Sequence, residues 1–162
     1  MKFSGQHAVS FQMVRTLAIE CHALDLSAYE LLLFPVHVDA RGKTKATYDE
    51  LLTSKILALA IALRTKFYQG TPYEGTHWYL EYVGSLERER KGRKVDTTFN
   101  LKDACDKIIH ADSIEREFRG QSQKPHTILS GTSQGGEKWS LGFSLAALAD
   151  SVLWWLEDVE ET

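Results

Sequence analysis

Residues 47–67 read TYDELLTSKILALAIALRTKF. Leu52, Ile56, Leu59, Leu63 and Phe67 recur at three- and four-residue intervals, the spacing that gathers side chains on one face of an α-helix. Leu, Ile and Ala also crowd the positions between them, so this helix is expected at the centre of the core. Thr47-Tyr-Asp-Glu50 has the form of a capping box, and Gly70 with Pro72 marks the far end.

Helical spacing continues on either side. In Gln6–Leu24, Phe11, Val14, Ala18 and Cys21 share a face, with Leu17 and Leu24 beside them. Ser27-Ala-Tyr-Glu30 reads as a second capping box, opening a short helix through Leu31–Phe34 that Pro35 ends. Asp39-Ala-Arg-Gly-Lys-Thr reads as a polar loop. Thr76–Glu89 suits a helix through Tyr79, Tyr82, Val83 and Leu86, although Tyr-Leu-Glu-Tyr-Val suits a strand equally. Asn100 caps a compact helix from Leu101 to about His110, with Leu101, Cys105 and Ile108 inward and Asp103 supporting the cap.

The last third changes period. His126–Ser130 and Trp139–Phe143 flank the turn Ser133-Gln-Gly-Gly136, and Trp139, Leu141 and Phe143 alternate as on one face of a sheet. Ser144 then caps a final helix in which Leu145, Leu148, Val152, Trp155 and Val159 align, and its acidic end, Glu157–Glu161, is expected to fray. The expected fold is mainly α: a single helical-bundle domain over residues 1–162, with one C-terminal β-hairpin laid against it before the last helix.

Composition narrows the function classes. With 43% apolar and 25% charged residues the chain is globular in type, and a net charge of -3 means that a polyanion would need a local basic patch. Cys21 and Cys105 form neither a disulfide framework nor a metal knuckle. His7, His22, His37, His77 and His126 are scattered without ligand spacing, so neither metal nor cofactor is expected. The first residues lack an apolar signal core, and Leu31–Val36 is too short to span a bilayer. A cytoplasmic location without membrane contact follows by elimination.

Three stretches carry chemical interest. Lys102, Asp106 and His110 are four residues apart, so on a helix an ammonium, a carboxylate and an imidazole lie along one stripe, the ingredients of an acid–base site. The plainer reading is a solvated pair on a helix surface. Arg88-Glu-Arg-Lys-Gly-Arg-Lys94 places Arg88, Arg90, Lys91, Arg93 and Lys94 on an expected loop suited to phosphates, or simply to water. Gly131–Lys138 has glycines and a lysine, but Glu137 separates Gly136 from Lys138, so it reads as a hairpin turn rather than a phosphate loop. Trp139 and the Trp154–Trp155 pair read as packing residues rather than base-stacking platforms.

The segment Cys105-Asp-Lys-Ile-Ile-His-Ala111, ending an amphipathic helix, resembles the motif of the HEPN superfamily of small helical-bundle proteins. Asp106 matches the polar residue of that motif and His110 its His, while Cys105 stands where an Arg is usual. The resemblance implies a homodimer that binds RNA, or cleaves it without a metal, in a defence or toxin–antitoxin setting. His110 would be the acid–base group, with Asp106 and Lys102 beside it. The missing Arg sets the cleavage step apart from the binding step. The alternative is a non-enzymatic module that docks a protein partner.

Overall fold

The computed structural model describes residues 9–32 and 41–162. Helix α1 runs Phe11–Leu32 and α2 Arg41–Tyr68; a short 3-10 helix, Thr76–Leu80, leads into strands β1 (Gly84–Arg90) and β2 (Arg93–Thr97). Helix α3 (Leu101–Ile109), strands β3 (Ser113–Phe118), β4 (Pro125–Thr132) and β5 (Lys138–Ser144), and helix α4 (Leu145–Glu160) complete the chain. The five strands form one antiparallel sheet in the order β2-β1-β5-β4-β3.

The fold is therefore α+β, and the expected helical bundle with a single hairpin is overturned. The all-helical architecture implied by the HEPN resemblance goes with it. The β4–β5 hairpin is present with its turn at Ser133–Gly136, but it is the middle of a larger sheet. Register pairs Leu86 with Leu141, Leu141 with Leu129, and Leu129 with Ile114, giving an apolar row across four strands. Over β5 and β4 that face lies against the helices. The opposite face carries Glu87, Ser140, Ser130 and Ser113 in its matching row.

Helix α1 packs against both α2 and α4, and α3 packs on α2 and touches β4. Leu52, Ile56, Leu59, Leu63 and Phe67 of α2 are all buried, as their spacing predicts. Asn100 and Asp103 form the expected capping box: the Asp103 amide donates to Asn100 Oδ1 at 2.9 Å, and the Asn100 amide to Asp103 Oδ2 at 3.0 Å. Ser144 Oγ accepts from the Ala147 amide at 3.2 Å, capping α4 as expected.

Other expectations fail locally. The boxes at Ser27 and Thr47 cap nothing, because α1 and α2 run through both positions. Ser27 Oγ instead donates to the Leu24 carbonyl inside α1. The polar loop at Asp39–Thr44 is helix from Arg41 on, and its first two residues, the Phe34–Pro35 stop, His7, His37 and the start of the Gln6–Leu24 segment lie outside the described residues. At the acidic end of α4, Arg15 of α1 reaches Glu157 at 3.4 Å and also Glu160, which supplies the cation that the helix terminus itself lacks.

One polar network crosses this core. Asp25 of α1 is fully buried; its Oδ2 accepts from the Ala146 amide at 2.8 Å in the first turn of α4, and its Oδ1 meets Arg116 of β3. Arg116 also donates to Tyr48 Oη at 2.9 Å and to Thr127 Oγ1 at 3.2 Å, while the Tyr48 hydroxyl donates to the Leu24 carbonyl at 2.6 Å. Burial pushes the Asp25 carboxyl up from its ordinary range, against the opposing pull of the Ala146 amide and the guanidinium.

Both thiols are sealed inside. Cys21 and Cys105 are free and buried; burial pushes Cys21 up to about 12 and Cys105 higher still. Neither should be carbamidomethylated by iodoacetamide at pH 8 in the native protein, and both should react in urea. Mass spectrometry after a timed quench checks this, and rapid native labelling would contradict the packing.

Candidate nucleic-acid interface

The segment β1–β2 is built from charge alternation. In Leu86-Glu-Arg-Glu-Arg90, successive side chains point to opposite faces of the strand. Register pairs Arg88 with Val95, Glu89 with Lys94, and Arg90 with Arg93. Arg88, Arg90 and Arg93 therefore share the face that carries Leu86, whereas Glu87, Glu89, Lys94 and Asp96 share the other. Lys91 (φ 50°) and Gly92 (φ 73°) form the two-residue turn, both in the left-handed region that suits the twist of a tight hairpin. The expected loop at Arg88–Lys94 is thus a strand–turn–strand, and the five cations expected to meet phosphates are divided between its two faces and its tip. Lys94 lies on the acidic side and pairs with Glu87 at 3.2 Å, and Lys91 occupies the tip.

A fourth cation joins the arginines from α3. Lys107 Nζ sits 4.4 Å from the centre of the Trp139 ring. Trp139 in turn lies over Gly131, where a Cβ would come within 2.4 Å of the indole, so only glycine lets the ring settle on β4. Trp139 is buried beside Arg88 in the register, which makes it a mount for the cations rather than a stacking surface. Lys107 is pulled below the usual lysine range by burial and by the neighbouring Arg88 charge. Two carboxylates balance the cluster in part. Glu137 lies 3.6 Å from Arg88 and 3.3 Å from Arg90, and Asp103 is already held in the α3 cap. Arg93 has no ion-pair partner among the described residues.

The stripe on α3 is helical, as its spacing predicts, but it closes on itself. Lys102 Nζ donates to Asp106 Oδ2 at 3.0 Å, and Arg64 Nε of α2 lies 3.1 Å from Asp106 Oδ1, off-line for a hydrogen bond. Arg64 also donates to Tyr68 Oη at 3.1 Å. Asp106 thus spends both oxygens on cations and clasps α3 to α2. His110 stands at the exposed C-cap, and no hydrogen bond or ion pair joins its imidazole to Asp106 among the described residues. Lys102 and Asp106 come together; His110 does not join them. Sequence reasoning missed Arg64, since nothing in a helix read alone says which neighbour its outer edge will meet.

Among the described residues no group of three or more His, Cys, Asp or Glu side chains is placed to hold a metal ion. No described helix is long and apolar enough to cross a membrane. No protein-family model matches the chain, and no curated protein or solved structure matches it significantly.

Proposed function

We propose that this domain binds RNA through its backbone phosphates, on the face formed by Arg88, Arg90 and Arg93 of the β1–β2 hairpin with Lys107 of α3. The observation that carries this reading is the segregation of charge by strand alternation. A chain of net charge -3 collects arginines on one side of a hairpin and leaves Glu87, Glu89 and Asp96 on the other. Guanidinium groups match phosphate oxygens with paired donors, and each contact releases counterions from the nucleic acid. RNA binding was expected from the α3 motif; here it is supported by the hairpin, with His110 given no catalytic part.

A single-stranded RNA of about a dozen nucleotides, followed by fluorescence anisotropy, tests this. Arg90→Ala/Arg93→Ala should weaken binding by roughly tenfold or more, about 1.4 kcal/mol. Lys94→Ala, on the opposite face of the same strand, should change it less than about twofold, as a surface substitution away from the contact does. Equal loss from both would show that the face does not matter. A single-stranded DNA of the same sequence, bound equally well, would broaden the ligand to nucleic acid in general.

The protein-docking alternative has an observation of its own. Ile19 and Leu26 on α1 and Leu57 and Ile61 on α2 are exposed apolar residues of the two longest helices. A partner bound there would leave the Arg90/Arg93 phenotype untouched, so the two roles separate experimentally.

A further inference from the structure

A second surface lies at the other end of the hairpin and has the opposite chemistry. A cleft of about 470 Å3 opens between the 3-10 helix, the start of β1 and the end of β2, within the size range of small-molecule sites. Trp78, Phe99, His77, Glu81 and Asp96 are among its walls. The Trp78 indole is fixed in place: it stacks on Tyr79 at 3.9 Å and meets Trp154 edge-on at 5.2 Å. Tyr79 is anchored in turn, its hydroxyl donating to Asp158 and its carbonyl accepting from Ser151 Oγ at 2.8 Å. Trp78 nonetheless remains 47% exposed and Trp154 55%, unusual for indoles so well braced. Trp154 packs edge-on against Trp78 and Tyr79 while half exposed, and Trp155 is buried in the core.

Glu81 and Asp96 bring two carboxylates to the same cleft, and neither has an ion-pair or hydrogen-bond partner among the described residues. No Lys or Arg lines it. A rigid indole with unpaired carboxylates repels phosphate and attracts a positive charge that can give up water cheaply. The electrostatics of the ring and the carboxylates then add.

We infer that this cleft binds an organic cation of the quaternary-ammonium class, with the cation against Trp78 and its charge answered by Glu81 and Asp96. Such a group reaches the site either as a free small molecule or as a trimethylated lysine side chain, and both share the recognised chemistry. The inference stands apart from RNA binding, because none of Arg88, Arg90, Arg93 or Lys107 lines the cleft.

The test uses tryptophan fluorescence of the full chain titrated with choline, with its neutral isostere 3,3-dimethylbutan-1-ol, and with a short peptide carrying trimethyl-lysine. Choline or the peptide should give a saturable change, and the neutral alcohol should bind at least roughly tenfold more weakly. The tighter of the two cations identifies the source. Glu81→Gln/Asp96→Asn keeps the shape and should weaken the cation by a similar factor while leaving the alcohol unchanged. Trp78→Leu should abolish choline binding measured by isothermal titration calorimetry, since the substitution also removes the reporter indole, with circular dichroism confirming the fold and Arg90→Ala/Arg93→Ala serving as the unaffected control. Equal binding of cation and alcohol, or no saturable response to either cation, would overturn the inference.

Discussion

Asp25→Ala lowers the unfolding free energy by about 3–5 kcal/mol, the range for breaking one partner out of a buried ion pair. The residue is fully buried, and its two oxygens join elements far apart in the chain: Ala146 at the start of α4 and Arg116 on β3. Removing the carboxylate strands a guanidinium whose own side chain is only 12% exposed and leaves the Ala146 amide without an acceptor. Few single changes here should cost more, since the loss is a desolvated charge rather than a methylene. Urea unfolding followed by circular dichroism measures it. Because the pair acts as a unit, Asp25→Leu/Arg116→Met should cost less than the two single substitutions summed, a coupling of about 0.5–3 kcal/mol. A loss below about 1 kcal/mol for Asp25→Ala would mean that the network does not hold α1, β3 and α4 together.

Arg90→Glu/Arg93→Glu is expected to reduce RNA affinity about 100-fold, or ~2.7 kcal/mol, more than truncation to Ala, because it replaces attraction by repulsion at the same two points. The Arg90 side chain is 60% exposed and Arg93 lies at the hairpin tip, so stability should stay within about 0.5 kcal/mol of the native value. Lys94→Glu reverses an equally exposed charge one residue away, yet its side chain belongs to the other face. It should lower affinity by less than about threefold, the scale of a long-range field rather than a contact. The arginine pair shifts the net charge by four and Lys94→Glu by two, so a loss per reversed charge that is far larger for the arginines reads the strand's alternation rather than net charge.

The helices and the central strands were written in apolar periodicity. Leu52 through Phe67, Leu145 through Trp155, and the alternation of Trp139, Leu141 and Phe143 each bury the residues their spacing selects. Caps at Asn100 and Ser144 were legible because their signals are local. The outer strands were not. In β1 only Leu86 is buried, β2 is almost wholly exposed, and β3 is an edge strand whose Ile114 is 37% exposed. The edge strands β2 and β3 carry charge to resist pairing with other chains, and β1, paired on both sides, spells its alternation in Glu and Arg where it runs beside β2. Glu87-Arg-Glu-Arg90 followed by Lys91-Gly92 held that signal, and reading it for apolar residues alone made it a loop. Of the stripe on α3, the Lys102–Asp106 pair was readable from spacing. Its third member, Arg64, and the Asp25–Arg116 network depend on contacts 42 and 91 residues apart in sequence, which no local pattern encodes.

The salt dependence of RNA affinity reaches the central claim most directly. If Arg88, Arg90, Arg93 and Lys107 each meet a phosphate, the logarithm of the association constant should fall against the logarithm of salt concentration with a slope of about -2 to -3. Arg90→Ala/Arg93→Ala should flatten that slope by about half, whereas Lys94→Ala should leave it in place. A slope near zero, or one that the arginine substitutions do not change, would contradict the phosphate-binding face.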